Sequence, residues 1–233
     1  MRELLIVNNL KEAKFHGKQA LGFERRFRLP AVLGAIRNSR LAVVNLSAPE
    51  ADIKDLLEVH TREYLQKLRL VVEKSKETGK PQEFGDEVLI YPGTYAAAST
   101  AAGAGILAVN SIIEGSLDRA FIAVRSAGHH AEPEKAMGYC IFSNAAIAAL
   151  YAYKKFAKKT AVVDLDIHSG NGTAKSLANR EGVSFYELFL ENDIESYPSP
   201  EQMPNLKAGN IVQVGLPSGT TGQEWLRVLK EKI

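Results

Sequence analysis

The stretch TAVVDLDIHSGNGT, Thr160 to Thr173, ends an apolar run in Asp164, Asp166 and His168, each two residues from the last. Side chains alternate faces along a strand, so the three would project together if the chain stays extended. Burying two bare carboxylates is costly, and a divalent cation removes that cost. Carboxylate oxygen and imidazole nitrogen are ordinary zinc ligands, and a catalytic zinc site takes three protein ligands and leaves a place for water. The same spacing also fits carboxylates that cap the following helix while His168 packs.

A second stretch, RSAGHHAEPEKAMGYC, carries the adjacent pair His129-His130 just past another apolar run. Adjacent side chains on a strand diverge, but in an irregular loop both can face one point. Hydrolysis needs a base for the proton of water and an acid for the departing group, and a histidine pair can supply both. The alternative is two solvated loop histidines. His60 falls on the apolar face of a helix and reads as a core histidine. His16 lies in a polar N-terminal loop with no assigned role. Cys140 reads as a small packed residue rather than a nucleophile. GNGT lacks the spacing and lysine of a phosphate loop.

These loops need elements to hold them. ELLIVNN, LAVVNL, AFIAV, TAVVDLD, GVSFYELF and NIVQVGL read as strands, AFIAV as a buried one. PAVLGAIRNS reads as a short helix with Pro30 in its first turn. Ile53, Leu56, Leu57, His60, Tyr64, Leu65 and Leu68 recur at helical spacing and predict one amphipathic helix from about Ala51 to Glu77. Pro92 opens a long Ala/Gly-rich helix closed by Gly115. Ser143 to Lys158, GNGTAKSLANR and TGQEWLRVLKEKI read as further helices. The alternation predicts an α/β doubly wound parallel sheet in a single domain over residues 1–233. In such sheets ligands sit beyond the C-terminal strand ends, which is where both unusual loops fall.

The net charge of +2 is too small to argue for nucleic-acid binding, and the basic runs Arg25-Arg26-Phe27-Arg28 and Lys154-Lys155 with Lys158-Lys159 read as solvated surface. No uninterrupted apolar run approaches bilayer length, so no membrane is expected. The single cysteine excludes an internal disulfide, and MRELLIVNNL lacks the form of a signal peptide. A cytoplasmic protein is expected.

These residues resemble the histone deacetylase family, which also contains acetylpolyamine amidohydrolases and acetoin-utilisation proteins. FERRFRL is similar to the family's N-terminal motif, keeping Glu24, Arg28 and Leu29. DLLEVHTREYLQKL, YPGTYAAASTAAGAGILAV, GHHAEPEKAMGYCIFSNAAIAA, VVDLDIHSGNGT and VGLPSGTTGQEWL resemble later motifs in order and spacing. The resemblance implies the arginase–deacetylase fold and a metal-dependent amide hydrolase acting on acetylated lysine or small acylated amines. It implies Asp166 and His168 as ligands of Zn²⁺, or of another divalent ion such as Fe²⁺. It pairs His129 with Asp164 and His130 with Asn171, with His130 the proton carrier. Tyr139 would line the substrate tunnel, and the Gly138 carbonyl would accept the substrate amide N–H.

Some positions depart from the family pattern. Ser169 stands where a second histidine is usual, and RSAG replaces Arg-Pro-Pro-Gly before the histidine pair. Glu187 stands where a serine often helps hold a structural K⁺, which weighs against that ion. The resemblance places the third metal ligand and a carbonyl-polarising tyrosine beyond Ile233, in about a third of a usual domain. A complementing C-terminal segment or chain, or self-association through an unpaired strand edge and the Trp225, Leu226, Leu229 face of the last helix, is therefore expected. The rival expectation is a catalytically inactive binding or assembly module.

Overall fold

The computed structural model describes residues 3–17, 24–115, 117–191, 196–203 and 206–232. Phe23 of the FERRFRL motif lies outside them. In chain order the elements are β1 (Leu4–Asn8), α1 (Leu10–Ala13), α2 (Arg28–Arg37), β2 (Val43–Ser47), α3 (Ile53–Leu56), α4 (Arg62–Thr78), β3 (Gln82–Gly85), β4 (Val88–Ile90) and α5 (Thr94–Ile113). They continue with β5 (Ala120–Ala123), α6 (Asn144–Phe156), β6 (Thr160–Asp164), α7 (Asn171–Leu177), β7 (Val183–Leu190), β8 (Ile211–Leu216) and α8 (Gly222–Lys232).

The strands form two three-stranded parallel sheets, β2-β1-β5 and β6-β7-β8, and an antiparallel β3-β4 hairpin. β1 is apolar at every interior position because both of its faces are covered. Leu5 and Val7 pack with Ala104 and Ala108 of α5, while Ile6 packs with Leu29 and Leu33 of α2. In the second sheet, Val183 and Phe185 share a core with Ile147 and Leu150 of α6 and Leu177 of α7. In the first sheet this puts helices on both sides of parallel strands, the doubly wound arrangement expected.

α5 and α6 tie the sheets together. They approach closely because Gly105 carries no side chain: a Cβ there would lie 2.9 Å from Ala148 Cβ. The Ala and Gly content that allows this also makes α5 long and apolar enough to cross a bilayer by length and composition, yet here most of it packs inside the protein.

Three expectations change. The helix expected over Ala51–Glu77 is two helices, α3 and α4, broken at His60-Thr61. Thr61 caps α4 by accepting from Tyr64 N at 3.2 Å. The break turns His60 into the core, where Nδ1 donates to Glu132 O at 3.1 Å and Nε2 accepts from Ser143 N at 3.0 Å. The β3-β4 hairpin was not anticipated, since GDEV carries none of the usual hairpin dipeptides. AFIAV is a strand but not a buried one: Phe121 is 45% and Ile122 39% exposed, because among the described residues β5 pairs with β1 alone.

Candidate active site

The histidine-pair loop begins at an arginine clamp. Arg125, directly past β5, is buried, and its guanidinium donates to both carboxylate oxygens of Glu24 at 2.5 Å, to Ala13 O at 2.8 Å and to Gly17 O at 2.6 Å. Asn9, just past β1, accepts from Arg125 N at 3.0 Å and donates to Arg125 O at 2.5 Å. A guanidinium presents donors in a fixed fork, so four partners fix its orientation and the start of the loop.

From there the chain reaches His129 and His130, whose ring centroids lie 3.9 Å apart. His129 Nδ1 is 3.1 Å from Asp164 Oδ2, and His130 Nδ1 is 2.9 Å from Asn171 Oδ1. Burial pushes the His129 pKa down, but the Asp164 hydrogen bond and the charges of Asp164, Asp166 and Glu187 outweigh it and leave the value raised. Burial drives His130 down to about 3, with His129 adding to the effect. Two neighbouring imidazoles are thus pushed in opposite directions.

The His130 tautomer follows from its partners. Asn171 Nδ2 donates to Glu132 Oε1 at 3.1 Å, so Asn171 Oδ1 faces His130 and must accept. His130 Nδ1 therefore carries the proton, and Nε2 is the basic nitrogen. Glu132 is itself held by Lys175 at 3.0 Å.

The other loop meets this one from β6. The strand ends at Asp164, so Asp166 and His168 lie in a loop rather than in extended register. Asp164 Oδ1 accepts from Asp166 N at 3.1 Å, and Asp166 Oδ1 accepts from His168 N at 2.9 Å. These tight side-chain turns bring Asp166 Oδ1 and His168 Nδ1 to 3.0 Å. The His168 hydrogen bond holds the Asp166 carboxyl well below the usual carboxylate range. His168 also faces His130, with centroids 6.0 Å apart. Behind the loop, buried Glu187 accepts from Ser169 Oγ at 2.8 Å, Gly170 N at 2.6 Å and Gln213 Nε2 at 2.5 Å, and burial raises its pKa. The carboxylates do not cap α7, whose N-cap makes no side-chain hydrogen bond.

Gly138 lies against His130: its φ is +53°, and a Cβ there would fall 2.3 Å from the His130 ring. Its carbonyl accepts from the Cys140 thiol at 3.3 Å. Cys140 is buried, its pKa pushed up to about 12 by that burial. Tyr139 is half-buried, and burial with the Glu87 charge raises it to about 12.

A profile of the histone deacetylase domain matches residues 23–233. The chain belongs to the histone deacetylase family. It is 30% identical to the probable deacetylase of Archaeoglobus fulgidus over 90% of this chain and 58% of that one. It is 36% identical to histone deacetylase HDA1 of Saccharomyces cerevisiae over 65% of this chain and 22% of that one. The crystal structure of the HDA15 HD domain superposes with a TM-score of 0.81 at 26% identity, covering 98% of this chain and 67% of that one. The fold is therefore the deacetylase α/β fold. The chain spans 58% or less of these two curated relatives.

Histone deacetylases are generally metal-dependent, and the Asp166–His168 pair can be tested for fit. Zinc bonds of about 2.0–2.1 Å at a tetrahedral angle put neighbouring oxygen and nitrogen ligands roughly 3.3 Å apart. The 3.0 Å separation of Asp166 Oδ1 and His168 Nδ1 is close to one such edge. Both side chains are accessible, at 49% and 40% exposure. Among the described residues no group of three or more such side chains forms. The pair fits as part of a cation site, where a catalytic zinc ion takes three protein ligands.

Sequence reasoning missed Tyr197. Its ring stands edge-on to His130 at 4.7 Å and to His168 at 6.3 Å, and its hydroxyl donates to Asp86 Oδ2 at 3.3 Å. The available signal was an aromatic residue in the Pro-flanked YPSP loop that follows the C-terminal end of a strand. Expected tunnel residue Tyr139 shares Gly138 with this ring, since a Gly138 Cβ would also meet Tyr197 Cε1 at 2.8 Å.

Proposed function

We propose that this chain supplies the proton-transfer half and part of the metal half of a metal-dependent deacylase for acetylated lysine or small acylated amines. The observation that carries the reading is the convergence of separately anchored groups: His129 on Asp164, His130 on Asn171, and the Asp166–His168 pair facing His130. In this reading Asp166 and His168 hold a divalent cation, Zn²⁺ or Fe²⁺. Such a cation supplies Lewis-acid polarisation of the acyl carbonyl and a more acidic water.

The chain's own residues do the rest. His130 Nε2, left basic by the Asn171 contact, takes a proton from water as its oxygen bonds to the acyl carbon. The C–N bond then breaks, and His130 returns that proton to the departing amine, giving acetate and a free amine. His129, fixed by Asp164 and with its pKa raised, stands beside His130 and favours negative charge that develops near it. Tyr139 and Tyr197 form apolar walls for an extended alkylamine arm, and the Gly138 carbonyl orients the amide N–H.

The third ligand comes from a complementing C-terminal segment or chain. The test is acetate release from an acetyl-lysine peptide and from an acetylpolyamine, by the chain assembled with such a segment and supplied with Zn²⁺ or Fe²⁺. Turnover that disappears in His130→Ala supports the reading; no release from either substrate by the assembled, metal-supplied protein refutes it. The exposure of Asp166 and His168 favours a second reading, a catalytically inactive assembly module, and the same experiment separates the two.

A further inference from the structure

Helix α7 grips the histidine-pair loop from its first turn. Thr173 N donates to His129 O at 3.0 Å. A Cβ at Gly172 would fall 2.3 Å from Ala131 O, so the helix lies directly on the main chain of that loop. Asn171 and Lys175 stand four residues apart and share one face of the helix. Both reach the same carboxylate. Asn171 Nδ2 donates to Glu132 Oε1 at 3.1 Å, and Lys175 Nζ donates to Glu132 Oε2 at 3.0 Å. The loop holds that residue from its own side: His60 Nδ1 donates to Glu132 O at 3.1 Å, and Glu132 N donates to Lys135 O at 2.9 Å.

Four side chains thus form one line from the surface to the site. The Lys175 side chain is 41% exposed, that of Glu132 is 12% exposed, and Asn171 is fully buried. Beyond Asn171 lies His130, whose Nδ1 donates to Asn171 Oδ1 at 2.9 Å. Each link constrains the next. A carboxylate this deep is costly to keep without a counter-charge. Glu134, 59% exposed and 3.8 Å from the Lys175 ammonium, competes for that charge only weakly. Without the ammonium, Glu132 lowers its cost by taking up a proton or by turning out to solvent. Either change removes the acceptor that faces Asn171 Nδ2. A protonated Glu132 goes further, because its hydroxyl is met by Asn171 Oδ1, which turns the amide over. Nδ2 then faces His130 Nδ1, that nitrogen must accept, and the ring proton moves to Nε2. Met137 Sδ, 3.4 Å from Asn171 Nδ2, is too weak an acceptor to hold the amide by itself.

We propose that Lys175 is a positioning residue for this site: its surface ammonium charge, acting through Glu132 and Asn171, fixes which nitrogen of His130 carries the proton. Lys175 touches neither His130 nor the Asp166–His168 pair, so it acts only through the two side chains between. Anchoring of α7 does not account for it. The helix is already fixed by the Thr173–His129 bond, by the close approach at Gly172 and by Leu177 in the core. An ion pair between two exposed side chains is worth little, but here one partner is buried and passes its second oxygen inward to Asn171. The proposal rests on the deacylase reading only for the use made of the Nε2 lone pair; the tautomer is a property of the chain by itself.

The test reads the His130 tautomer by ¹⁵N chemical shifts in the full 233-residue chain near pH 7, where burial keeps the ring neutral. Lys175→Met keeps the alkyl stem and removes the charge, and the ratio of Nδ1–H to Nε2–H should fall about tenfold, or roughly 1.4 kcal/mol. Lys175→Arg keeps the charge and should hold the original tautomer. Lys175→Met combined with Glu132→Gln should restore it, because a neutral amide needs no counter-charge and still offers Asn171 an oxygen. A lysine that merely anchored α7 would show no such rescue. An unchanged tautomer in Lys175→Met overturns the proposal, and so does an arginine variant that behaves like methionine or a double variant that is not restored. In the assembled, metal-supplied protein Lys175→Met should lower kcat about tenfold with little change in KM. A shifted tautomer without loss of turnover leaves the positioning standing and removes His130 as proton carrier. Turnover absent from every form, with the tautomer responding as expected, removes the deacylase reading alone.

Discussion

The two loops that meet at the site are held in opposite ways. The histidine-pair loop starts at the buried Arg125 clamp, and its side chains end on Asp164 and Asn171, each inside the protein. The Asp166–His168 loop is accessible; its carboxylate and imidazole bond to each other and to the local backbone, with Glu187 anchoring the residues just after them. Preorganised proton-transfer groups need fixed rotamers and tautomers. In the proposed reading, Asp166 and His168 become rigid only once a cation and a further ligand join them. The difference teaches which part of the site the fold holds fixed before any cation is bound.

Acid should expose the contrast most strongly, because the buried side carries neutral histidines. Burial lowers His16 to about 3, with Arg125 adding, and burial lowers His60 to about 4. An unfolded histidine takes up its proton near 6.5, whereas these two do so only near 3 and 4. Between those values the unfolded state binds more protons, so stability falls as pH falls. Stability should be full above about 6.5 and decline on the order of several kcal/mol by about pH 4. Urea unfolding at stepped pH measures this. His60→Gln should flatten its share of the slope, and an unchanged slope would deny His60 its role.

The clamp comes next in size. Glu24→Ala leaves the Arg125 guanidinium buried without its carboxylate, which typically costs about 3–5 kcal/mol. Asp166→Ala removes a half-exposed side chain and should change stability by under about 1 kcal/mol. Chemical denaturation of both variants breaks the comparison if the order is reversed.

These anchors also mark what was legible in advance. Strand β1 was readable because a parallel strand covered on both faces leaves an unbroken apolar run, β6, β7 and β8 because they are rich in Val, Ile, Leu and Phe between turn residues, and α4 because its apolar face repeats at helical spacing. The break at His60-Thr61 was not readable, since the periodicity runs through it and only the tertiary bonds of His60 require the turn. The pairing of His129 with Asp164 came from a family resemblance; local spacing says nothing about residues 35 apart in sequence. Nothing in the polar sequence around His16 signals its burial, yet it is fully buried with Nδ1 3.0 Å from Thr94 Oγ1, because its loop packs against α5. The exposure of β5 was missed for a different reason. Composition reports what a strand is built to bury, and AFIAV is built to be buried whether or not a neighbour is present.

Metal binding sharpens the comparison at the other loop. With two ligands the lone chain should bind Zn²⁺ weaker than about 1 μM, or roughly −8 kcal/mol. Asp166→Ala should abolish that binding, while His130→Ala should leave it unchanged. Isothermal calorimetry decides, and tight stoichiometric binding would reveal a third ligand within this chain.

The smallest effect tests how far the fixed side extends. Glu132 accepts from Asn171 Nδ2, and that bond, with a weaker one from Nδ2 to Met137 Sδ at 3.4 Å, sets which atom of the Asn171 amide meets His130. Without the carboxylate, the amide can turn and present Nδ2 to His130 Nδ1, moving the ring proton to Nε2 and removing the basic nitrogen from the site. Glu132→Ala should therefore shift His130 from the Nδ1–H toward the Nε2–H tautomer, read by ¹⁵N chemical shifts of the lone chain near pH 7. Glu132→Gln keeps an acceptor for Asn171 and should restore the original tautomer, whereas Glu132→Leu, which fills similar space without an acceptor, should not. In an assembled, active protein the alanine variant should lose about tenfold in kcat, in the range for residues that orient another group, with little change in KM. A His130 that keeps its proton on Nδ1 in Glu132→Ala would show that Asn171 is oriented by something other than this carboxylate, and the fixed region would then end at Asn171.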